Sequence, residues 1–124
     1  MPIDYQRDDR TRRIRITATE PVTSEDLIEI ANRQAAEGAW SYGLLYDGSA
    51  RHEPPSPDTI HRLVLQAGVL TTKHGRRGPI ALVLGAPELG RMAKRYATLG
   101  ELAALNARVF TTVQEAEDWL RHES

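Results

Sequence analysis

Cysteine is absent from the 124 residues, and that removes several chemistries at once. There is no disulfide framework, no thiolate nucleophile, no Cys-ligated zinc and no iron–sulfur cluster. A basic surplus is missing too: 16 Lys and Arg stand against 17 Asp and Glu, a net charge of −1. Dedicated nucleic-acid binders carry a clear excess of positive charge, so that class of partner is set aside. No uninterrupted apolar stretch approaches the roughly 18 residues of a membrane span, and Met1–Arg10 carries charges where a signal peptide would be greasy. The chain reads as soluble and cytoplasmic, with an ordinary globular composition. Its length suits one core rather than two, hence a single domain over residues 1–124.

What is present is periodicity. Ile3–Arg7 and Arg13–Ala18 alternate apolar with polar, the signature of half-buried strands, and the polar run from Asp8 to Thr11 suits the turn of an antiparallel hairpin. Thr23 can cap a helix whose Leu27, Ile30, Ala31 and Ala35 form one stripe, with Gly38 as its stop. Tyr42–Tyr46 is too short for a helix and reads as an interior strand. Ser56 and Pro57 open a second helix that buries Ile60, Leu63, Val64, Ala67 and Leu70. Ile80–Leu84 is the most apolar strand. A third helix follows Pro87, with Leu89, Met92, Ala93, Tyr96, Leu99 and Ala103 at helical spacing. Arg108–Phe110 is a final strand, and Thr112 with Glu115 has capping-box spacing before a fourth helix that buries Val113, Ala116, Trp119 and Leu120. The order β-β-α-β-α-β-α-β-α predicts an α/β fold, with a mainly parallel sheet of about five strands, an N-terminal antiparallel hairpin and four main helices. Ile14, Ile16, Leu45, Leu63, Leu82, Met92, Tyr96, Phe110, Trp119 and Leu120 are the expected core.

Several of these segments carry a family likeness: Val22–Leu27 opening the first helix, the strand Gly43–Asp47, Pro79–Leu84 leading through Pro87 to Gly90–Tyr96, and Arg108–Leu120. In them the chain resembles the SpoIIAA-like bacterial proteins, whose fold is shared with the STAS domains of anti-sigma-factor antagonists and anion transporters. The resemblance implies a right-handed superhelix of βα units, with helices mainly on one face of the sheet. It implies no activity. The phosphorylated antagonists share an Asp-Ser-Ser/Thr-Gly-Leu motif, whereas the corresponding region here reads Asp47-Gly48-Ser49-Ala50, so a kinase-regulated switch is not implied.

Open α/β sheets bind ligands beyond the C-terminal ends of their strands. Asp47, Ser49, Ser56, Gly85 and Thr112 are therefore candidate ligand-binding residues, where helix N-termini offer N–H groups to a small apolar or anionic molecule. Ser56, Pro57, Glu88 and Thr112 are also ordinary caps that satisfy those N–H groups from within the chain. Asp47, Ser49 and His52 hold the ingredients of a hydrolytic triad but no local signature of one, and no catalytic residue is assigned. His52, Glu53 and His61 lack metal-ligand spacing, so no metal is assigned. Gly85 and Gly90 mimic the opening of a phosphate loop, yet Arg91 and Met92 replace its Lys and Ser/Thr, so no cofactor is assigned. Lys73, Arg76 and Arg77 read as a solvated basic loop. With helices on one face only, Tyr42, Leu44 and Tyr46 would line an apolar reverse face, a candidate interface for a homodimer or another protein. The leading expectation is a non-enzymatic regulatory or protein-interaction module that associates with itself. The alternatives are a carrier or sensor of a small ligand, and a hydrolase using Asp47, Ser49 and His52.

Overall fold

The computed structural model of the chain describes residues 3–18, 23–48, 57–84 and 106–123. Five strands form one mixed sheet: β1 (Ile3–Asp8), β2 (Arg13–Ala18), β3 (Gly43–Asp47), β4 (Ile80–Val83) and β5 (Ala107–Phe110). They lie in the order β1-β2-β3-β4-β5, with β1 antiparallel to β2 and every later pair parallel. Asp8 builds the hairpin turn, its Oδ1 accepting from the backbone N–H groups of Arg10 at 2.9 Å and Thr11 at 3.3 Å. Among the described residues there are three helices: α1 (Ser24–Ala36), α2 (Pro57–His74) and α3 (Val113–Glu123). The helix expected after Pro87 lies outside the described residues, as do Met92 and Tyr96 of the expected core.

The caps of α1 and α3 are where the sequence pattern places them, and the Ser56 cap of α2 lies outside the described residues. Thr23 Oγ1 accepts from the N–H of Asp26 at 3.1 Å, while the Asp26 carboxylate accepts from the N–H of Thr23 at 3.0 Å, closing a capping box. Thr112 does the same work for α3, accepting from the N–H of Glu115 at 3.2 Å. Gly38 ends α1 and Gly75 follows α2, each with positive φ, the backbone region where an L side chain is strained.

Strand alternation divides the core in two. Ile14, Ile16, Leu44 and Tyr46 point to one face, where Leu27 and Ile30 of α1 cover them. On the same face α2 adds Leu63, Val64, Ala67 and Leu70. Leu45, Ala81 and Val83 point the other way and meet Ala116 and Leu120 of α3. Of the described helices, α1 and α2 thus share one face and α3 alone takes the other, because the central parallel strands carry apolar side chains on both sides. Of the expected core, Ile14, Ile16, Leu45 and Leu120 are fully enclosed. Leu63, Leu82, Phe110 and Trp119 are half-buried.

Candidate functional site

The interface expected at Tyr42, Leu44 and Tyr46 is not an open surface. Leu44 and Tyr46 are 6% and 8% exposed beneath α1, because the strand face they occupy is the one that α1 and α2 cover. Tyr42 precedes β3 and is half-buried. Its hydroxyl donates to Asp9 Oδ1 at 2.8 Å, and the Arg12 guanidinium lies 5.2 Å from the centre of its ring. The face assumed bare is occupied by the protein's own helices.

At the C-terminal ends of the strands, two of the five expected ligand-binding residues are described. Asp47 ends β3 and faces Arg15 at 3.7 Å. Thr112 is committed to the α3 cap, its hydroxyl also donating to Glu115 Oε1 at 2.9 Å. Asp47 is in register with Val83, and Val83 with Phe110, so Asp47 and Phe110 stand two strand spacings apart, about 10 Å. Ser49, Ser56 and Gly85 lie outside the described residues, and so do His52, Glu53, Gly90 and Arg91. His61 is exposed on α2. No group of three or more His, Asp or Glu able to hold a metal occurs among the described residues.

A carbon-lined pocket lies elsewhere. A cavity of about 100 Å³ lies between the sheet and the α1–α2 pair. Its walls are almost wholly carbon: Leu27 and Ile30 from α1, Leu63 and Ala67 from α2, and Leu44 and Leu82 from the sheet. Protein interiors pack as densely as organic crystals, and voids larger than a water molecule are few per domain. An engineered apolar cavity of roughly 150 Å³ takes up benzene, which sets the scale of occupant.

Among the described residues that line it, Gln34 and Arg77 bring an amide and a guanidinium beside the indole of Trp40 and the phenol of Tyr46. Gln34 has no solvent exposure. Its Nε2 donates to the carbonyl of Ala39 at 2.8 Å, while its Oε1 has no partner. Arg77 is 9% exposed. Its Nη1 donates to the carbonyl of Trp40 at 2.9 Å, and its guanidinium lies 4.5 Å from the centre of the Trp40 ring. Among the described residues no carboxylate comes within ion-pair reach of it. Burial pushes the Arg77 guanidinium down to about 10, which leaves it charged at neutral pH. The solvated reading of Arg77 is thereby corrected: the residue is buried against Trp40, while its neighbours Lys73 and Arg76 are exposed.

The segment between α1 and β3 holds both groups through consecutive carbonyls, those of Ala39 and Trp40. Gly78 secures the same place, its N–H donating to the Trp40 carbonyl at 3.1 Å. The Trp40 indole is fixed from the α2 side by a hydrogen bond to Thr71 Oγ1 at 3.3 Å. Asn106, in the left-handed backbone region, donates from its side chain to the carbonyl of Arg77 at 3.3 Å. Sequence reading passed over Gln34 and Trp40. For Gln34 a signal exists: the residue stands seven after Leu27, a polar side chain set into the buried stripe of α1.

A second, wider cleft of about 660 Å³ runs between the hairpin and α3. Its charges pair within the protein: Arg13 with Glu117 at 2.8 Å, Arg7 with Asp9 at 2.8 Å, and Arg121 with Asp118. No family model matches the chain, and neither a curated protein nor a solved structure does so.

Proposed function

We propose that this domain is a non-enzymatic binding module that carries or senses a small, largely apolar molecule, held between the sheet and the α1–α2 pair. The observation that carries the reading is the carbon-lined pocket of about 100 Å³ between the sheet and the α1–α2 pair. Catalysis by Asp47, Ser49 and His52 gains no support, since the one described member of that trio faces an arginine. A protein-interaction role has one observation in its favour: Leu65 and Val69 are 59% and 51% exposed and lie one turn apart on α2. A SpoIIAA-like superhelix of βα units belongs to the same proposal, and the sequential strand order supports it.

The test is a titration with a small apolar probe such as cyclopentane, followed by the methyl NMR signals of Leu44, Leu63 and Leu82. These signals should shift together and saturably. Ala67→Leu, which pushes a larger side chain into the same space, should abolish the shifts without unfolding the domain. Unmoved methyl signals at the solubility limit of the probe would sink the cavity reading.

A further inference from the structure

Six of the described arginines and lysines form ion pairs within the chain: Arg7, Arg13, Arg15, Arg33, Arg62 and Arg121. The other six, Arg10, Arg12, Lys73, Arg76, Arg77 and Arg108, have no carboxylate within ion-pair reach among the described residues. These unpaired charges are not scattered. Arg10 and Arg12 stand in the hairpin turn, Lys73 and Arg76 at the end of α2 and just beyond it, and Arg77 and Arg108 by the starts of β4 and β5. All belong to the end of the sheet where its parallel strands begin. Arg77 is buried against Trp40, and the Arg108 guanidinium turns to Phe110, 5.9 Å from its ring centre. That leaves Arg10, Arg12, Lys73 and Arg76 facing solvent.

Ser41 draws the two loops together. Its Oγ accepts from Arg12 Nη2 at 3.2 Å, and its carbonyl oxygen lies against Gly78, only 2.4 Å from where a Cβ would stand. The acids nearby are committed: Asp8 to the N–H groups of its own turn, Asp9 to Arg7 and Tyr42, and Glu37 to Arg33, Arg7 and Tyr5. The dipole of α2 accounts for Lys73, since a helix favours a cation in its last turn. It does not account for the three arginines, which stand in loops. Charges of one sign gathered without partners repel one another, and a partner of opposite sign relieves that repulsion and is steered towards it. Arginine narrows the choice, because its planar fork takes both oxygens of a carboxylate. We infer that this end of the domain docks a short acidic segment of another protein, its Asp or Glu carboxylates received by Arg10, Arg12 and Arg76 with Lys73 at the margin. A few acidic residues match a patch built from two short loops. A nucleic acid would run past it on to Asp118 and Glu123 of α3, which ends on the same side of the molecule, and would meet like charge there. The docking needs no occupant in the pocket under α1 and α2.

The test is a fluorescently labelled peptide of glutamates, titrated with the full chain at low salt and followed by anisotropy. It should bind saturably, and added salt should weaken the complex. Arg10 and Arg76 are exposed and their side chains make no bond among the described residues, so Arg10→Ser and Arg76→Ser leave the fold in place. Together they should weaken binding at least tenfold, and each alone at least threefold. Arg62→Ser removes the same charge about 16 Å back along α2 from Lys73 and should leave binding within twofold. No saturable binding of the glutamate peptide would overturn the assignment. Equal losses from Arg62→Ser and Arg76→Ser would overturn it too, because the attraction would then be that of net charge and not of this surface. Tighter binding of a single-stranded oligonucleotide of the same charge would also overturn it, in favour of a nucleic acid.

Discussion

Gly78 stands where the chain enters β4, and a methyl group there has no room. A Cβ built on its backbone would lie 2.3 Å from the carbonyl oxygen of Tyr42 and 2.4 Å from that of Ser41. Nonbonded heavy atoms settle at about 3.5 Å, so Gly78→Ala forces the two backbone segments apart by about 1 Å. Neither can yield alone. The N–H of Gly78 donates to Trp40 at 3.1 Å, and the N–H of Leu44 donates to the Pro79 carbonyl at 2.9 Å. Overpacking a core costs about 1–3 kcal/mol, and stretching these bonds adds about 1 kcal/mol for each one lost. With both bonds lost the expected destabilisation is about 3–5 kcal/mol. Urea unfolding of the two proteins measures it, provided the slope against denaturant is unchanged. The same substitution at Gly68 is the control. That glycine is exposed on α2 with nothing within 4 Å of a built Cβ, and Gly68→Ala should stabilise by about 0.5–1 kcal/mol. A loss below 1 kcal/mol at Gly78 would show that the two loops are not in contact and would remove the wall that holds Trp40 and Arg77.

Two further outcomes follow from the packing and the charges. Leu45 is fully enclosed between β3 and α3, so Leu45→Ala should cost about 2–5 kcal/mol in the same urea assay; a cost under 1 kcal/mol would deny that α3 seals that face. Glu37 accepts from Arg33 at 3.0 Å, from Arg7 at 3.1 Å and from Tyr5 at 3.1 Å, and Arg33 foremost holds its carboxyl below the ordinary range. A carboxyl lowered in the folded state stabilises fully above its unfolded value near 4.3, and that stabilisation is lost as pH falls through the lowered value. Stability should therefore decline below about pH 4.3, and Glu37→Gln should flatten the decline; identical acid limbs in the two proteins would remove Glu37 from it.

Much of the architecture is legible in local pattern. Alternation over Ile3–Arg7 and Arg13–Ala18 marks the hairpin, and Thr23 and Thr112 mark helix starts, because these signals are carried by residues close in sequence. Which face a helix covers is not local. Leu44 and Leu45 are equally apolar, and nothing in β3 says that α1 takes one and α3 the other. The false dimer face arose there. Arg77 shows the same limit, since it shares a basic run with Arg76 and differs from it only through Trp40, 37 residues away. Gln34 was readable as a polar break in an apolar stripe, but the missing partner of its Oε1 is a fact of three dimensions.

The strand order has a consequence for the growing chain. Every hydrogen-bonded neighbour in the sheet is also the next strand in sequence, so each strand emerging from the ribosome finds its docking edge already made. No strand waits for a distant segment to be inserted beside it, and loop-closure entropy enters in modest instalments, one connection at a time. α3 comes last and covers Leu45, Ala81 and Val83 on the second face. Until its residues have been synthesised, those three side chains have none of the described helices over them, and that interval favours adhesion of the nascent chain.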